Sequence, residues 1–271
     1  MNQQAEEDLE LLFSKAFNEP SLRPEFIERL LNSNIYFPGH TNDPNETEIT
    51  EVFLEENTPI QVTSWPHEEY GRVIPFFTSL KEMRLAFDSN QRFLCMSCKI
   101  FMSMTRDALL VLNPESEIKK SFTPEEIEFL LMGSDTQDDQ LSYPTGTRIL
   151  LGQPEDYPEN MVEHLKKYFS SNDSVEAAYL AQTYVETDQF PALVVGVQTN
   201  IKLSEDIEQE LNKHLSMIIR DTLQPIRTIN LMIFHDNTST DTIAGYLLNE
   251  TEPFYIKPIA KKKGFFARLF S

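Results

Sequence analysis
Glycine, cysteine and positive charge are all scarce in this chain, and each shortage removes a class of function. The eight glycines among 271 residues are dispersed. None forms the Gly-rich turn that lets a backbone cradle phosphate, which excludes phosphate-loop and dinucleotide-binding chemistry. Two cysteines, Cys95 and Cys98, are too few for a disulfide framework. Basic residues number 23 against 43 acidic ones, leaving a net charge of −20. A surface of that sign repels a phosphate backbone, so nucleic acid is not an expected partner. Apolar runs long enough to span a bilayer are missing too. The opening MNQQAEEDLELLF is acidic before it is apolar, the reverse of a secretory signal. A cytoplasmic location is the expectation.

What is present is an ordinary complement of apolar residues, 40% of the chain, distributed in readable patterns. Leu9, Leu12, Phe13 and Ala16 recur at helical spacing and predict a first helix, ended by Asn18-Glu19-Pro20. Pro24 opens a second, burying Phe26, Ile27, Leu30 and Leu31. Ile35–Phe37 reads as a short strand stopped by Pro38-Gly39, and residues 40–58 as a polar surface loop. Ile60–Ser64 and Arg72–Phe76 read as strands flanking a Trp65-Pro66-His67 loop. Thr78 is the expected cap of a helix bearing Leu80, Met83 and Phe87. Arg92–Met96 then reads as a strand, Ser97 as the cap of a helix, and Ala108–Leu112 as a buried strand. Thr123-Pro124-Glu125-Glu126 is a helix start with proline in the first turn, and Gly133 stops that helix.

Beyond about Tyr143 the element pattern changes. Ile149–Leu151, Pro158–Phe169, Val175–Val185, Ala192–Val197, Ser204–Thr222 and Ile229–Ile233 give strand, helix, strand, strand, helix, strand. Glu186–Gln189 is the expected hairpin between the two middle strands. The long helix is expected to bury Ile207, Leu211, Leu215 and Ile218. That βαββαβ succession is the ferredoxin-like one. The fold class is therefore α+β in two domains, a mixed N-terminal domain over 1–133 and a ferredoxin-like C-terminal domain over 148–256. A linker at 134–147 joins them, and a tail at 257–271 follows.

Candidate chemistry is thin. Cys95-x-x-Cys98 suggests a redox pair or half a zinc site, but its flanks, Phe93-Leu94 and Ile100-Phe101, have core character, and no second metal-binding pair completes it. Two packed structural cysteines are the favoured reading. His40, His67, His164, His214 and His235 are dispersed, without a His-Glu-x-x-His helix. His235-Asp236 follows a strand but lacks a third member. No cofactor is implied.

The tail stands apart. Residues 1–255 hold 18 basic and 43 acidic side chains, a net of −25, whereas the last sixteen residues hold Lys257, Lys261, Lys262, Lys263 and Arg268 and no acid. As a helix, this segment places Phe265, Phe266, Leu269 and Phe270 along one side. It is too short to be stable alone and must pack on something. Another protein and the chain's own acidic body are the two leading surfaces; peripheral contact with a membrane ranks below them.

Glu7-Asp8-Leu9 with Leu11-Leu12 and Lys15-Ala16, then Glu19-Pro20, Arg23-Pro24 and Pro38-Gly39, resemble the opening of the SseB (enhanced serine sensitivity) family. Val73–Leu80, the run ending at Asn113, and Phe122 with Glu126-Ile127 extend the resemblance through the first half. Pro253-Phe254-Tyr255 and Gly264-Phe265 with Arg268 extend it to the C-terminus. The resemblance implies a bacterial cytoplasmic protein, named for a serine-sensitivity phenotype, and supplies no catalytic residues. The combined expectation is a non-enzymatic interaction or adaptor protein, linked to serine or sulfur-amino-acid metabolism. Its tail residues Phe265, Phe266, Leu269 and Phe270 anchor a partner protein, and Lys261, Lys262, Lys263 and Arg268 steer it. The alternatives are a thiol-based, sulfurtransferase-like enzyme using Cys98, and a small-ligand module on the open face of the second-domain sheet.

Overall fold
Helix α1 (Gln3–Asn18) buries Leu9, Leu12, Phe13 and Ala16 at the expected spacing. A 3-10 turn at Pro20–Leu22 leads to α2 (Arg23–Leu31), which buries Phe26, Ile27 and Leu30. In the computed structural model, residues 3–41, 60–68, 71–132, 149–185, 191–225, 228–235 and 242–258 are described. The expected linker, the acidic hairpin, most of the 40–58 loop and the tail beyond Pro258 lie outside them. The chain divides into two units, residues 1–135 with 209–221, and residues 136–208 with 222–271.

The first unit holds β1 (Asn34–Thr41), β2 (Ile60–Val62), β3 (Trp65–His67) and β4 (Gly71–Phe76), then α3 (Leu80–Ala86), β5 (Phe93–Ser97), α4 (Cys98–Met104), β6 (Leu109–Leu112), β7 (Lys120–Phe122) and α5 (Pro124–Met132). Its strands form two sheets, ordered β2-β1-β5 and β3-β4-β6-β7. A bridge between Tyr36 and Phe77 connects them. Strand β1 does not stop at Pro38-Gly39 as its sequence suggests. It changes partner there, pairing with β5 through Asn34–Pro38 and with β2 through Gly39–Thr41. Proline lacks the N–H that a continuous ladder needs. Gly39 lets β2 approach closely, since a Cβ there would lie 2.6 Å from the Gln61 carbonyl oxygen. Trp65–His67 is likewise a strand, paired with β4, and not the loop its Pro66 suggests. Strand β7 had no signal in the sequence beyond Phe122.

Two cores result. The main one gathers Leu9, Phe13, Phe26, Phe37, Phe76, Phe101, Phe122 and their neighbours. Phe76 lies 5.5 Å from Phe101 and 5.9 Å from Phe122, ring centre to ring centre. Each such side chain, fully buried, stabilises the fold by about 1.5–3 kcal/mol. A smaller core of Tyr36, Phe77, Met83, Phe93 and Cys95 lies beneath α3.

The cap of α3 is Ser79, not Thr78: its Oγ accepts the Glu82 N–H at 3.2 Å. Thr78 serves a different purpose. Its N–H donates to Asn113 Oδ1 at 3.1 Å, and its hydroxyl accepts from Asn113 Nδ2 at 3.1 Å. Glu10 accepts from both Thr78 and Ser79 hydroxyls, at 3.1 and 2.6 Å, which fastens α1 to this turn. Asn113 adopts a φ of 49°, a left-handed conformation that asparagine tolerates better than most residues.

The second unit contains β8 (Ile149–Gly152), α6 (Glu159–Ser171), β9 (Val175–Val185), β10 (Ala192–Thr199), β11 (Ile229–His235), α8 (Ile243–Glu250) and β12 (Tyr255–Ile256). The long helix α7 (Glu205–Thr222) connects β10 to β11, and its residues 209–221 count with the first unit. Ile207, expected on the buried face of α7, is 50% exposed, whereas Leu211, Leu215 and Ile218 are buried. The βαββαβ succession is present, but the strand pairing is not ferredoxin-like. In a ferredoxin-like sheet the first strand lies parallel to a central neighbour; here β8 pairs antiparallel with β9. The order is β11-β10-β9, with β8 and β12 both on the far edge of β9. The eleven residues of β9 make this feasible: β8 takes Gln182–Val185 and β12 takes Ala177 and Ala178. Part of one sheet face is covered. Ala177, Tyr179, Ala181, Val194 and Phe234 are covered by Ala244 and Leu247 of α8.

The Asn113 turn yields a prediction. Asn113→Ala removes the acceptor of a buried N–H and places a Cβ-bearing residue without a polar side chain at positive φ. It should cost about 2–4 kcal/mol in denaturant unfolding. Asn113→Gly, which removes the bonds but suits the φ, should lose about 1 kcal/mol less. Equal losses in the two variants would show that backbone conformation contributes nothing at this position.

Candidate functional site
Three helices of the first unit each present an i, i+3, i+4 triplet to one groove, the spacing that puts side chains on a single helical face. Helix α1 gives Phe13, Ala16 and Phe17; α2 gives Arg23, Phe26 and Ile27; α7 gives Met217, Arg220 and Asp221. Glu126 and Leu130 of α5, with Lys119 and Lys120 at the start of β7, complete the wall. The enclosed space is about 290 Å³. Its floor is apolar. Phe13 and Phe26 stack there with ring centres 4.6 Å apart and planes 9° from parallel.

The rim is charged and ordered. Arg23 pairs with Asp221, and its Nε donates to the Ala16 carbonyl at 3.2 Å. Glu126 receives Lys120 at 2.8 Å and Arg220 at 3.3 Å. Lys120 also sits 4.7 Å above the Phe122 ring, and Arg220 sits 5.4 Å from that of Phe129. Lys119 is exposed and makes no hydrogen bond or ion pair among the described residues. Ion pairs this close to solvent stabilise a fold by only about 0–1 kcal/mol each. Their clearer effect is to fix where the cationic groups stand. Four cations against two carboxylates leave the groove with a charge of +2 in a chain of −20.

The two cysteines are not brought together for chemistry. Cys95 faces the small core under α3, whereas Cys98 begins α4 and belongs to the main core. Cys98 is fully buried, and burial pushes its thiol far above the ordinary range, so a thiolate does not form at neutral pH. A different trio comes close enough to share a divalent ion. Glu28, Glu210 and His214 hold one ligand atom each within 4.8 Å of one another, two of the three being exposed. Burial lowers the His214 pKa, opposed by Glu210 and Glu28 and reinforced by Lys213. His235, at the end of β11, places Nδ1 3.1 Å from the Thr199 carbonyl. The tail residues Phe265, Phe266, Leu269, Phe270, Lys261, Lys262, Lys263 and Arg268 lie outside the described residues.

Comparison with known proteins follows the same division of the chain. The family model described as SseB protein N-terminal domain matches residues 13–128, and that described as SseB protein C-terminal domain matches 143–257. The chain belongs to the SseB family. It is 28% identical to Protein SseB of Escherichia coli (strain K12) over 250 residues, 92% of this chain and 91% of that protein. Protein SseB of Shigella flexneri matches to the same extent. No solved structure matches. The matched segments include every groove residue except Leu130, which lies just past the first.

Sequence reading passed over the groove. The one available signal was the Lys119-Lys120 doublet in an acidic chain. Nothing in the linear order places Arg23 beside Asp221, 198 positions away.

Two expectations follow. Cys98 should react with a maleimide or an aromatic disulfide only as fast as the protein opens, and promptly in denaturant. Rapid labelling of the native chain at Cys98 would restore the thiol-enzyme alternative. For His214 the folded state holds a proton less tightly than the unfolded chain, whose ordinary value is 6.5. The unfolded chain therefore takes up the proton first as pH falls, and stability is lost on acidification through that value. Between about pH 7.5 and about pH 5.5 the urea midpoint of His214→Gln should fall less than that of the parent. Parallel slopes for the two would show that His214 carries none of the pH dependence.

Proposed function
We propose that this SseB-family chain is a non-catalytic cytoplasmic interaction protein, an adaptor whose basic aromatic tail holds a partner protein. The observation that carries the reading is the state of Cys98. The competing enzyme needs that thiol as a nucleophile, and it is fully buried with its ionisation suppressed. The charge division along the chain supplies the second support. A body at −25 ends in a segment with five cations and no acid. Phe265, Phe266, Leu269 and Phe270 supply the contact, and Lys261, Lys262, Lys263 and Arg268 steer an acidic partner toward it. Four such apolar side chains, each contributing about 1.5–3 kcal/mol when buried, suffice for a micromolar complex after ordering costs. The family's serine-sensitivity name suggests that the partner acts in serine or sulfur-amino-acid metabolism.

Deletion of Lys261–Ser271 should leave the melting temperature nearly unchanged and remove the partner from a pull-down made in native cells. A large drop in melting temperature with partners retained would make the tail a structural element and end this reading.

A further inference from the structure
We propose that the groove formed by α1, α2, α5, β7 and the C-terminal part of α7 binds a small amphipathic carboxylate, an acid group on an apolar body. This inference does not depend on the tail. The shape of the site asks for both halves of such a ligand. Its floor of Phe13, Phe26, Ile27, Leu130 and Met217 has no charge, and its rim has an excess of +2. The excess is local, because the chain as a whole is at −20. An anion entering the groove leaves a repulsive surround for a compensating field, whereas a cation meets the opposite.

The rim already recognises carboxylates. Arg23 holds that of Asp221, and Lys120 with Arg220 holds that of Glu126. These contacts occupy only part of the donor capacity, since guanidinium has five N–H donors and ammonium three. Lys119, with no partner among the described residues, stands beside them. Arg23, Lys120 and Arg220 are therefore held in position before binding, which lowers the ordering cost of capture. A cavity of about 290 Å³ is at the small end of the range for ligand pockets, which limits the apolar body to a short chain or single ring.

The experiment is calorimetric titration of the full chain with octanoate, octyl phosphate and octylamine. Octanoate should bind saturably with a single site, at least tenfold more tightly than octylamine, and more weakly as salt is added. Lys119→Glu, a change at an exposed residue, should keep the parent's melting temperature and weaken octanoate about tenfold. Absence of saturable octanoate binding would overturn the proposal, as would equal affinity for octylamine or an unaffected Lys119→Glu variant. Octyl phosphate binding more than tenfold tighter than octanoate would overturn the carboxylate assignment.

Discussion

Two hydrogen bonds hold the first unit's sheets to each other. Tyr36 donates its N–H to the Phe77 carbonyl at 2.9 Å, and Phe77 returns the bond to Tyr36 at 2.8 Å. Everything around this bridge is arranged to keep it in place. Tyr36 is also within the β1–β5 ladder, opposite Cys95, and its hydroxyl reaches Glu6 of α1 at 2.9 Å. On the other side Phe77 is followed at once by Thr78 and Ser79, tied to Asn113 and Glu10. Asn113 also donates its own N–H to the Phe76 carbonyl at 2.9 Å. Buried polar groups of this kind are costly when unpaired, so loss of one partner propagates to the rest. The short stretch from Val73 to Leu80 thus joins two sheets, two cores and the N-terminal helix.

The sequence disclosed those features that depend on neighbours a few positions apart. The apolar stripe of α1, the proline start of α5 and the full length of β9 were all readable from spacing. It failed where a distant partner decided the outcome. Pro38-Gly39 looks like a strand end, yet β1 continues because β2 supplies a new edge there. Thr78 and Ser79 are equivalent as caps on paper; Asn113 claims the first, while the second caps the helix as an acceptor and still donates its own hydroxyl to Glu10. The four strands expected in the second unit are present, but a fifth, β12, joins them and the pairing differs, since strand order is a long-range property. Ile207 was assigned to the core by period alone, although it stands near the start of α7 and is half exposed.

The groove illustrates the same limit for function. Each helical triplet was within the sequence, and none was distinctive by itself. Phe13 and Phe26 read as ordinary core, which they also are, because the floor of the groove is the outer layer of the main core. Convergence of charge is what distinguishes the place, and it needs residues from four elements, α2, β7, α5 and α7. Glu125, by contrast, stands exposed in the first turn of α5, where hydrogen bonds from its own backbone and from Thr123 lower its pKa.

Strand β9 has a consequence for how the second unit is held closed. Both β8 and β12 run antiparallel to it on one edge, β8 ending opposite Gln182 and β12 beginning opposite Ala178. They point the same way along the same line, as if one strand had been cut and the rest of the unit inserted into the gap. That gap corresponds to about 13 Å of extended chain. Tension applied between positions 149 and 256 would therefore load two short ladders against a single long strand. Strands β8 and β12 are thus fastened to one element, and a pull between them shears both ladders along β9 at once.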